Sequence, residues 1–406
     1  MTTSYFIFGF DEWAGRLPII LISTGSALLI FLIGKSLFSR WVGFLASLLA
    51  TATPMFQYFG KAINHEPLVL FSILLGVYSF IRWAKTNQNN WYLIFLLSAL
   101  LTGLSGWHGY FLYPFLIILA FFYYRIRFKK SLWVLIILMG TFLGHQIHTA
   151  LLLGKLDLGL FSQLLIRTGF GTQFSYSKFF IQETRWMTIY FTRILAGGSI
   201  VYLLLRAKSI ASIKKVSFST ALVLALFGFG LSIPLIFSQQ AFIHDYLNIY
   251  LLPFMALATA LVLISLIKIF PRSIVVLLAL LLIAGVFLER QSFLKALQTG
   301  HANRPYVELA WLIKQKQVVN EDTRFLIEAN NFYNFAYPFL WNYAYPAFID
   351  SRTDNLTSFK KEQKALEGQY DYLITVETNP VEESLIKFLK ASYEEEKVDK
   401  FTFYRF

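Results

Sequence analysis

Glu66 is an acidic residue at a position where it could take part in catalysis. It directly precedes Pro67 and a long apolar run, so we expect it at the mouth of a membrane-spanning helix. A carboxylate that is partly removed from water at such a place could orient or deprotonate a substrate hydroxyl group. A structural interpretation is equally simple, because an acid in the first turn of a helix complements the helix dipole. The sequence leaves both interpretations open.

Two histidines, His145 and His148, are three residues apart and therefore share one face of a predicted helix. They could supply half of a metal site whose other ligands would be His65, Glu66 or Asp245. We favour hydrogen-bonded histidines inside a helix bundle, so no metal is predicted, and a divalent metal stays an open alternative. The chain has no cysteine, which excludes disulfides, thiolate metal sites and cysteine nucleophiles.

The elements that would position these groups are expected to span a membrane. Of the 406 residues, 56% are hydrophobic and 15% are charged, whereas a soluble domain carries about 25% charged residues. Mean hydropathy is +0.56. Ten apolar segments can be recognised: 17–37, 41–58, 67–83, 91–105, 109–124, 132–153, 189–205, 219–238, 247–267 and 273–288. We therefore predict a mainly α, polytopic integral membrane protein with about ten transmembrane helices.

The acidic residues divide the chain into two predicted domains. Of the 23 acids, 17 lie at or beyond Glu289. We expect residues 1–288 to form the transmembrane domain and residues 289–406 a small extracytoplasmic α/β domain. Its predicted strands are Phe325–Ile327, Ala347–Ile349, Asp371–Val376 and Lys400–Tyr404, and its predicted helices are Arg304–Gln317, Thr357–Leu366 and Val381–Lys390.

The loops between the apolar segments alternate in charge. One set carries fourteen cations and no acid, which makes it cytoplasmic by the positive-inside rule. The opposite set carries all six acids that precede Glu289. We therefore expect the ionisable residues of a functional site to lie on the outer face. The simpler alternative is that these residues belong to solvated outer loops that have no function.

The longest outward connection runs from Gly154 to Met187. Its glycines and serines are typical of a flexible lid beside a rigid scaffold. The apolar stretches Leu160–Ile166 and Phe179–Ile181 instead favour helices that lie in the membrane interface.

Several short motifs resemble those of one protein family. They are Phe8–Pro18, Phe38–Gly43, Leu49–Pro54, Gly60–Lys61, Asn64–Pro67, Gly103–Pro114, His244–Tyr246 and Leu252–Pro253. In this order and spacing they resemble the polyprenyl-phosphate-sugar-dependent membrane glycosyltransferases of the GT-C class. That class includes protein O-mannosyltransferases and lipid A aminoarabinose transferases, and its members also end in a small extracytoplasmic domain.

The resemblance implies that a sugar moves from a polyprenyl-phosphate carrier to an acceptor on the outer face of the plasma (inner) membrane, with inversion at the anomeric carbon. Glu66 matches the second acidic position of the family and is the expected catalytic residue. The residues expected to bind substrate or phosphate are Lys61, His65, His108, Arg167, Arg185, His244 and Tyr246. The expected partners are the lipid bilayer, the lipid-linked sugar donor and a glycan, lipid or protein acceptor, and no nucleic acid.

The resemblance is incomplete at the start of the chain. Family members carry a catalytic Asp or Glu in a first outward loop, upstream of the stretch that begins here at Phe8. We expect this chain to lack that segment, and we do not assign the base role to Asp11. Two alternatives therefore stay open: a non-catalytic accessory protein that binds a lipid-linked sugar, and a flippase or transporter of lipid-linked sugars.

Overall fold

The computed structural model describes most of the first 300 residues and shorter stretches of the rest. These are residues 2–9, 12–154, 159–169, 174–210, 216–266, 269–300, 309, 312, 325–328, 347–349, 359–360, 363–364, 371–376, 383–398 and 401–406. The chain forms two compact units. One comprises Arg16–Ala296, and the other combines Met1–Gly15 with Leu297–Phe406.

The described part of the first 300 residues is built of helices. The α-helices are α1 Thr2–Phe8, α2 Glu12–Leu37, α3 Arg40–Ala52, α4 Pro54–Phe59, α5 Glu66–Thr86, α6 Asn89–Ser105, α7 Leu112–Tyr123, α8 Arg125–Ser131, α9 Trp133–Leu153, α10 Gly159–Thr168, α11 Tyr176–Tyr190, α12 Thr192–Ile210, α13 Phe218–Ile236, α14 Ser238–Ile243, α15 Leu252–Leu266 and α16 Arg272–Gly300. Two 3₁₀ turns, Trp107–Phe111 and Asp245–Leu251, lead into α7 and α15.

Several of these helices can cross a membrane. Within the described residues, five have the length and apolar composition of a span: Trp13–Leu37, Glu66–Thr86, Phe128–Leu152, Phe218–Ile236 and Asp245–Leu266. The pair Tyr176–Tyr190 and Thr192–Ala207 meets the same criterion together but bends by 111°. Each of the ten predicted apolar segments falls on a helix or on consecutive helices. The prediction of a mainly α, polytopic membrane fold is confirmed.

The predicted outward connection contains two helices, α10 and the first part of α11. Leu160–Ile166 lies within α10 and Phe179–Ile181 within α11, so the helical interpretation of these stretches is confirmed. Residues 155–158 and 170–173 lie outside the described residues, and the lid interpretation is therefore a prediction only.

Local sequence signals set the helix boundaries beside the later site. The hydroxyl group of Thr53 accepts a hydrogen bond from the first turn of α4. Helix α5 begins at Glu66 with Pro67 in its first turn, where the missing N–H of proline leaves no helical hydrogen bond unmade. Gly106 ends α6, and the 3₁₀ turn Trp107–Phe111 follows directly.

A buried hydrogen-bond network ties α5 and α6 to the segment that begins with the Trp107–Phe111 turn. Thr102 Oγ1 on α6 donates to Ser72 Oγ on α5 at 3.1 Å and lies 3.0 Å from the hydroxyl group of Tyr113 on α7. All three side chains are buried, and hydrogen bonds of this kind hold membrane helices together. The network therefore fixes α5 relative to the turn that follows α6.

The C-terminal unit contains a five-stranded sheet in the order β2-β1-β3-β5-β4. Its strands are β1 Phe325–Glu328, β2 Ala347–Ile349, β3 Tyr372–Val376, β4 Glu394–Val398 and β5 Phe401–Arg405, and helix α17 is Glu383–Ser392. The strand β1 pairs in parallel with β2 and β3, whereas β5 is antiparallel to β3 and β4. The small α/β fold is thus confirmed.

Most predicted elements of this unit are present. The four predicted strands and the helix expected at Val381–Lys390 are found, with bounds shifted by one or two residues. The other two predicted helices are described only in part. The described residues of both are helical, namely Leu309 and Leu312 in the first, and Phe359–Lys360 and Gln363–Lys364 in the second. Strand β4 was not predicted.

Candidate functional site

Three side chains from two segments converge at one end of the helical unit. His65 precedes α5, Glu66 is its first residue, and His108 lies in the Trp107–Phe111 turn. His65 Nε2 is 3.2 Å from Glu66 Oε1, and the two imidazole rings are stacked with centroids 6.3 Å apart. One ligand atom from each of the three side chains lies within 4.8 Å of those of the other two. We call this group the His-Glu-His cluster.

Close backbone packing holds the cluster together. A Cβ on Gly106 would lie 3.0 Å from His65 Cδ2 and 2.9 Å from Val69 Cγ2. Gly106 therefore lets the Trp107–Phe111 turn approach the start of α5. The ring of His108 is also enclosed by Phe237 and Tyr250, with centroids 5.3 and 5.8 Å away.

The carboxylate of Glu66 is enclosed. Glu66 is 1% exposed, and neither carboxylate oxygen has a partner with hydrogen-bond geometry. His108 Nδ1 is likewise buried without such a partner. Buried polar atoms are nearly always satisfied by a partner, an ordered water or an ion. Two imidazoles and one carboxylate form the donor set that zinc and similar divalent cations prefer, so the residues of the cluster fit a divalent metal.

Arg167 is the cation that lies beside the cluster. It stands in the last turn of α10, and its guanidinium group lies over the ring of Trp107, 5.5 Å from the centroid. The end of α10 is anchored to α14, because Ser238 Oγ donates to the carbonyl oxygen of Thr168 at 3.0 Å. Arg167 is therefore held by an aromatic face at the edge of the His-Glu-His cluster.

The histidines near Arg167 favour their neutral forms. Burial lowers the pKa of His65, and the positive charge of Arg167 lowers it further. Burial also lowers the pKa of His244, where Asp245 opposes the effect and Arg167 adds to it. From the sequence we expected His65 and His244 to bind substrate or phosphate. These environments instead favour uncharged imidazoles, so Arg167 supplies the positive charge.

A second polar group lies on the segment between α14 and α15. The rings of His244 and Tyr246 are stacked with centroids 5.1 Å apart. Asp245 accepts a hydrogen bond from the hydroxyl group of Tyr190, the last residue of α11. The Asp245–Leu251 turn packs against α5, whose first residue is Glu66. The predicted binding residues His244 and Tyr246 are therefore near the His-Glu-His cluster.

Helix α11 makes a further buried contact with this segment. Glu183 is 7% exposed, and its Oε2 accepts a hydrogen bond from Asn248 Nδ2 at 2.9 Å. Glu183 Oε1 and Asn248 Oδ1 are buried without hydrogen-bond partners. Because Tyr190 and Glu183 both bond to the Asp245–Leu251 turn, α11 and this turn form one polar interface.

Other predicted site residues lie away from these contacts. Lys61 is exposed, and its backbone carbonyl accepts a hydrogen bond from Arg16 at 3.2 Å. Arg185 is also exposed. Among the described residues, neither of these two cationic side chains contacts the His-Glu-His cluster. Their phosphate-binding roles therefore stay predictions.

His145 and His148 lie on α9, on the wall of a groove of about 540 Å³ that also contacts α6. Both are exposed. Within the described residues, the one group of three metal-capable side chains is the His-Glu-His cluster. The structure therefore does not bring His145 and His148 to His65, Glu66 or Asp245, as the metal interpretation required. The ligand set that fits a metal uses His65 and His108 instead.

Sequence reasoning did not identify three participants: Glu183, Tyr190 and Gln240. Glu183 was taken for an outward-loop acid, and its burial depends on the packing of α11 against a turn some 60 residues later. The side chain of Gln240 lies close to His108 and Tyr246. The available signal was that Glu183 is one of only six acids before Glu289, which makes each of them a candidate for a function or a partner.

Comparison with known proteins gives partial sequence matches. Residues 1–145 match a family model described as dolichyl-phosphate-mannose-protein mannosyltransferase, and this range contains the complete His-Glu-His cluster. A protein of Bacillus subtilis (strain 168), named "Putative mannosyltransferase YkcB", is 29% identical over 120 residues. The match covers 30% of this chain and 16% of that protein, so the chain spans a small part of that relative.

Solved membrane proteins share the fold over nearly the whole chain. ArnT from Cupriavidus metallidurans, bound to undecaprenyl phosphate, matches with a TM-score of 0.60 and 12% identity, over 99% of this chain and 85% of that chain. The archaeal oligosaccharyltransferase AglB from Archaeoglobus fulgidus, in complex with an inhibitory peptide and a dolichol-phosphate, matches with a TM-score of 0.56 and 13% identity. That match covers 90% of this chain and 58% of AglB. The resemblance to GT-C glycosyltransferases is thereby confirmed.

Proposed function

We propose that this chain is a membrane glycosyltransferase that takes its sugar from a polyprenyl-phosphate carrier. It transfers the sugar to an acceptor at the extracytoplasmic face of the plasma (inner) membrane and inverts the anomeric configuration. The proposal is supported by the family match over residues 1–145 and by the fold shared with two enzymes that were solved with lipid phosphates.

The observation that carries the proposal is the grouping of Arg167 with the His-Glu-His cluster. A guanidinium group that rests on Trp107 offers a pre-ordered, permanently charged fork for a phosphate group. The neighbouring buried carboxylate of Glu66 and the uncharged imidazole of His65 supply the polar surroundings that a sugar ring requires. This grouping lies at the end of α5 opposite Lys85, which is one of the cations of the predicted cytoplasmic loops.

Each side chain then has a defined task. Arg167 binds the lipid phosphate and stabilises the negative charge that develops on it as the sugar leaves. His244 and Tyr246 form the stacked wall beside the sugar. Glu66 keeps its assignment as the second acidic residue of the family, and its carboxylate completes the ligand set that His65 and His108 begin.

A divalent cation is part of the proposal. His65, Glu66 and His108 would hold it, and the buried atoms without partners in Glu66 and His108 are its expected ligands. The cation would supply positive charge next to the phosphate site. Arg167 and the stacked aromatic wall orient the donor by themselves.

The test is sugar transfer by membranes that contain the full chain. Labelled undecaprenyl-phosphate mannose is the donor, and incorporation of label into lipid, glycan and protein fractions is measured. We expect Glu66→Gln and His108→Gln to lower transfer by about 100-fold or more, as removal of electrostatic stabilisation does in other enzymes. The matched control is His145→Gln, which changes an exposed histidine of α9 and should keep wild-type transfer.

Two results would reject this function in favour of the alternatives. Tight binding of undecaprenyl phosphate without any transfer by the wild-type protein would indicate an accessory lipid-sugar-binding protein. Movement of the intact lipid-linked sugar across the membrane of sealed vesicles, without transfer, would indicate a flippase.

A further inference from the structure

We propose that Asp245 is the catalytic base of this site and that Tyr190 is its positioning residue. The inference rests on the proposed function and goes beyond it, because it assigns proton removal from the acceptor to a residue outside the His-Glu-His cluster. It also differs from our expectation from the sequence, in which Glu66 could deprotonate the acceptor.

Access distinguishes the two carboxylates. A general base must come within hydrogen-bond reach of the proton that it removes. Both oxygens of Glu66 are buried, and the residue is 1% exposed, so an acceptor hydroxyl cannot reach them in this arrangement. Asp245 is only partly buried. Asp245 is therefore the less enclosed of the two acids and the better placed to receive an acceptor.

Orientation is the second requirement, and α11 provides it. The hydroxyl group of Tyr190 donates a hydrogen bond to Asp245 Oδ2. Three residues further along the 3₁₀ turn, Asn248 donates to the buried Glu183. These two contacts attach the Asp245–Leu251 turn to α11 at two points, which restrains the carboxylate in one orientation.

Asp245 also lies near the proposed donor site. Tyr246 is within electrostatic range of both Asp245 and Glu66. Phe59 contacts the rings of Tyr190 and Tyr246, with centroids 5.5 and 6.2 Å away. The Asp245–Leu251 turn packs against α4 and α5, and α5 begins at Glu66 of the His-Glu-His cluster.

The proposed reaction is a single displacement at the anomeric carbon of the sugar. The acceptor hydroxyl gives its proton to a carboxylate oxygen of Asp245, and the freed electron pair of the acceptor oxygen forms the bond to the anomeric carbon. The bond between the anomeric carbon and the phosphate oxygen breaks, and its electron pair leaves with the polyprenyl phosphate. Arg167 stabilises the charge on the departing phosphate.

The experiment uses the purified full chain, with undecaprenyl-phosphate mannose as donor and water as acceptor. Released mannose gives the rate, and thermophoresis with undecaprenyl phosphate gives the dissociation constant. We expect Asp245→Asn to lower the release rate by about 100-fold, within the usual range for loss of a general base. Binding of undecaprenyl phosphate should stay within about threefold of wild type, since the proposed phosphate contact is made by Arg167 and not by Asp245.

A second variant tests positioning. Tyr190→Phe removes only the hydroxyl group that bonds to Asp245 and should lower kcat while leaving KM unchanged. Tyr176→Phe is the matched control, because this exposed tyrosine begins the same helix. Sodium acetate should partly restore release by Asp245→Ala, whereas sodium chloride should not, since only acetate can accept the proton. A variant with a merely structural defect would not respond to acetate.

The outcomes separate the two proposals. Full release by Asp245→Asn, while Glu66→Gln abolishes release, would overturn the inference and leave the proposed function intact. Absence of release by the wild-type protein would overturn both. If Asp245→Asn does not fold, Tyr190→Phe decides the question, and a wild-type kcat in that variant would refute the inference.

Discussion

Gly106→Ala should separate the two parts of the His-Glu-His cluster without removing any of its side chains. The backbone at Gly106 has a φ of 171°, which is extended and equally available to alanine, so the effect of the change is steric. The new Cβ would lie 3.0 Å from His65 Cδ2 and 2.9 Å from Val69 Cγ2. Val69 is completely buried and cannot move aside, so the turn that follows Gly106 must move away from α5 and from His65.

The size of the effect follows from these distances. The contact with His65 must lengthen by about 0.4 Å, and the contact with Val69 by about 0.5 Å, to reach ordinary van der Waals distance at 3.4 Å. Overpacking of this kind costs about 1–3 kcal/mol, and each 1.4 kcal/mol that reaches the transition state is about tenfold in rate. We therefore expect release of mannose from undecaprenyl-phosphate mannose to fall by roughly 10- to 100-fold.

The assay compares initial release rates and thermal midpoints of the wild-type protein, Gly106→Ala and a control. The control is Gly140→Ala on α9, where an added Cβ meets no atom within 4 Å. The control should keep the wild-type rate. A wild-type rate in Gly106→Ala would refute the reasoning that close packing of the turn against α5 determines the geometry of the cluster.

Three further predictions concern the phosphate site, stability and topology. Arg167→Lys keeps the positive charge but loses the planar contact with Trp107. The Kd for undecaprenyl phosphate, measured by thermophoresis, should therefore rise about fivefold or more. An unchanged Kd would contradict the role assigned to Arg167. Glu183→Ala leaves Asn248 buried without its partner, so the free energy of unfolding should fall by about 1–3 kcal/mol and the thermal midpoint should fall with it. The control is Thr184→Ala, which changes the neighbouring exposed residue. An unaltered midpoint in Glu183→Ala would contradict this prediction. Since the chain has no cysteine, a membrane-impermeant maleimide should label Lys178→Cys on intact cells and Lys129→Cys only after permeabilisation, and the reverse pattern would overturn the proposed orientation.

The helices could be predicted because their signals are local. Apolar runs with a proline or serine at their starts define α5 and α13, and both lie within a few residues of the expected bounds. The expected segment 41–58 is divided at Thr53 into α3 and α4. Strand β4 could not be predicted in the same way. Its Glu394–Glu396 run is exposed at the edge of the sheet, so it carries no apolar alternation, and only its pairing with β5 makes it a strand.

The candidate site was only partly predictable because it depends on contacts between distant segments. Glu66, His65 and His108 were each recognised as candidates, but no local pattern places a residue of the turn after α6 beside the start of α5. The spacing of His145 and His148 indicated one helix face correctly. It could not indicate that this face borders a groove against α6 rather than the cluster. The burial of Glu183 likewise depends on long-range packing.

The central claim is that the cluster and Arg167 act on a lipid-linked sugar at the outer face. The most direct measurement is the time course of mannose release from undecaprenyl-phosphate mannose by the purified chain in proteoliposomes, with Glu66→Gln and Arg167→Ala measured in parallel. We expect steady release by the wild-type protein and a release rate about 100-fold or more lower in each variant. Equal release by all three proteins, or none by the wild type, would contradict it.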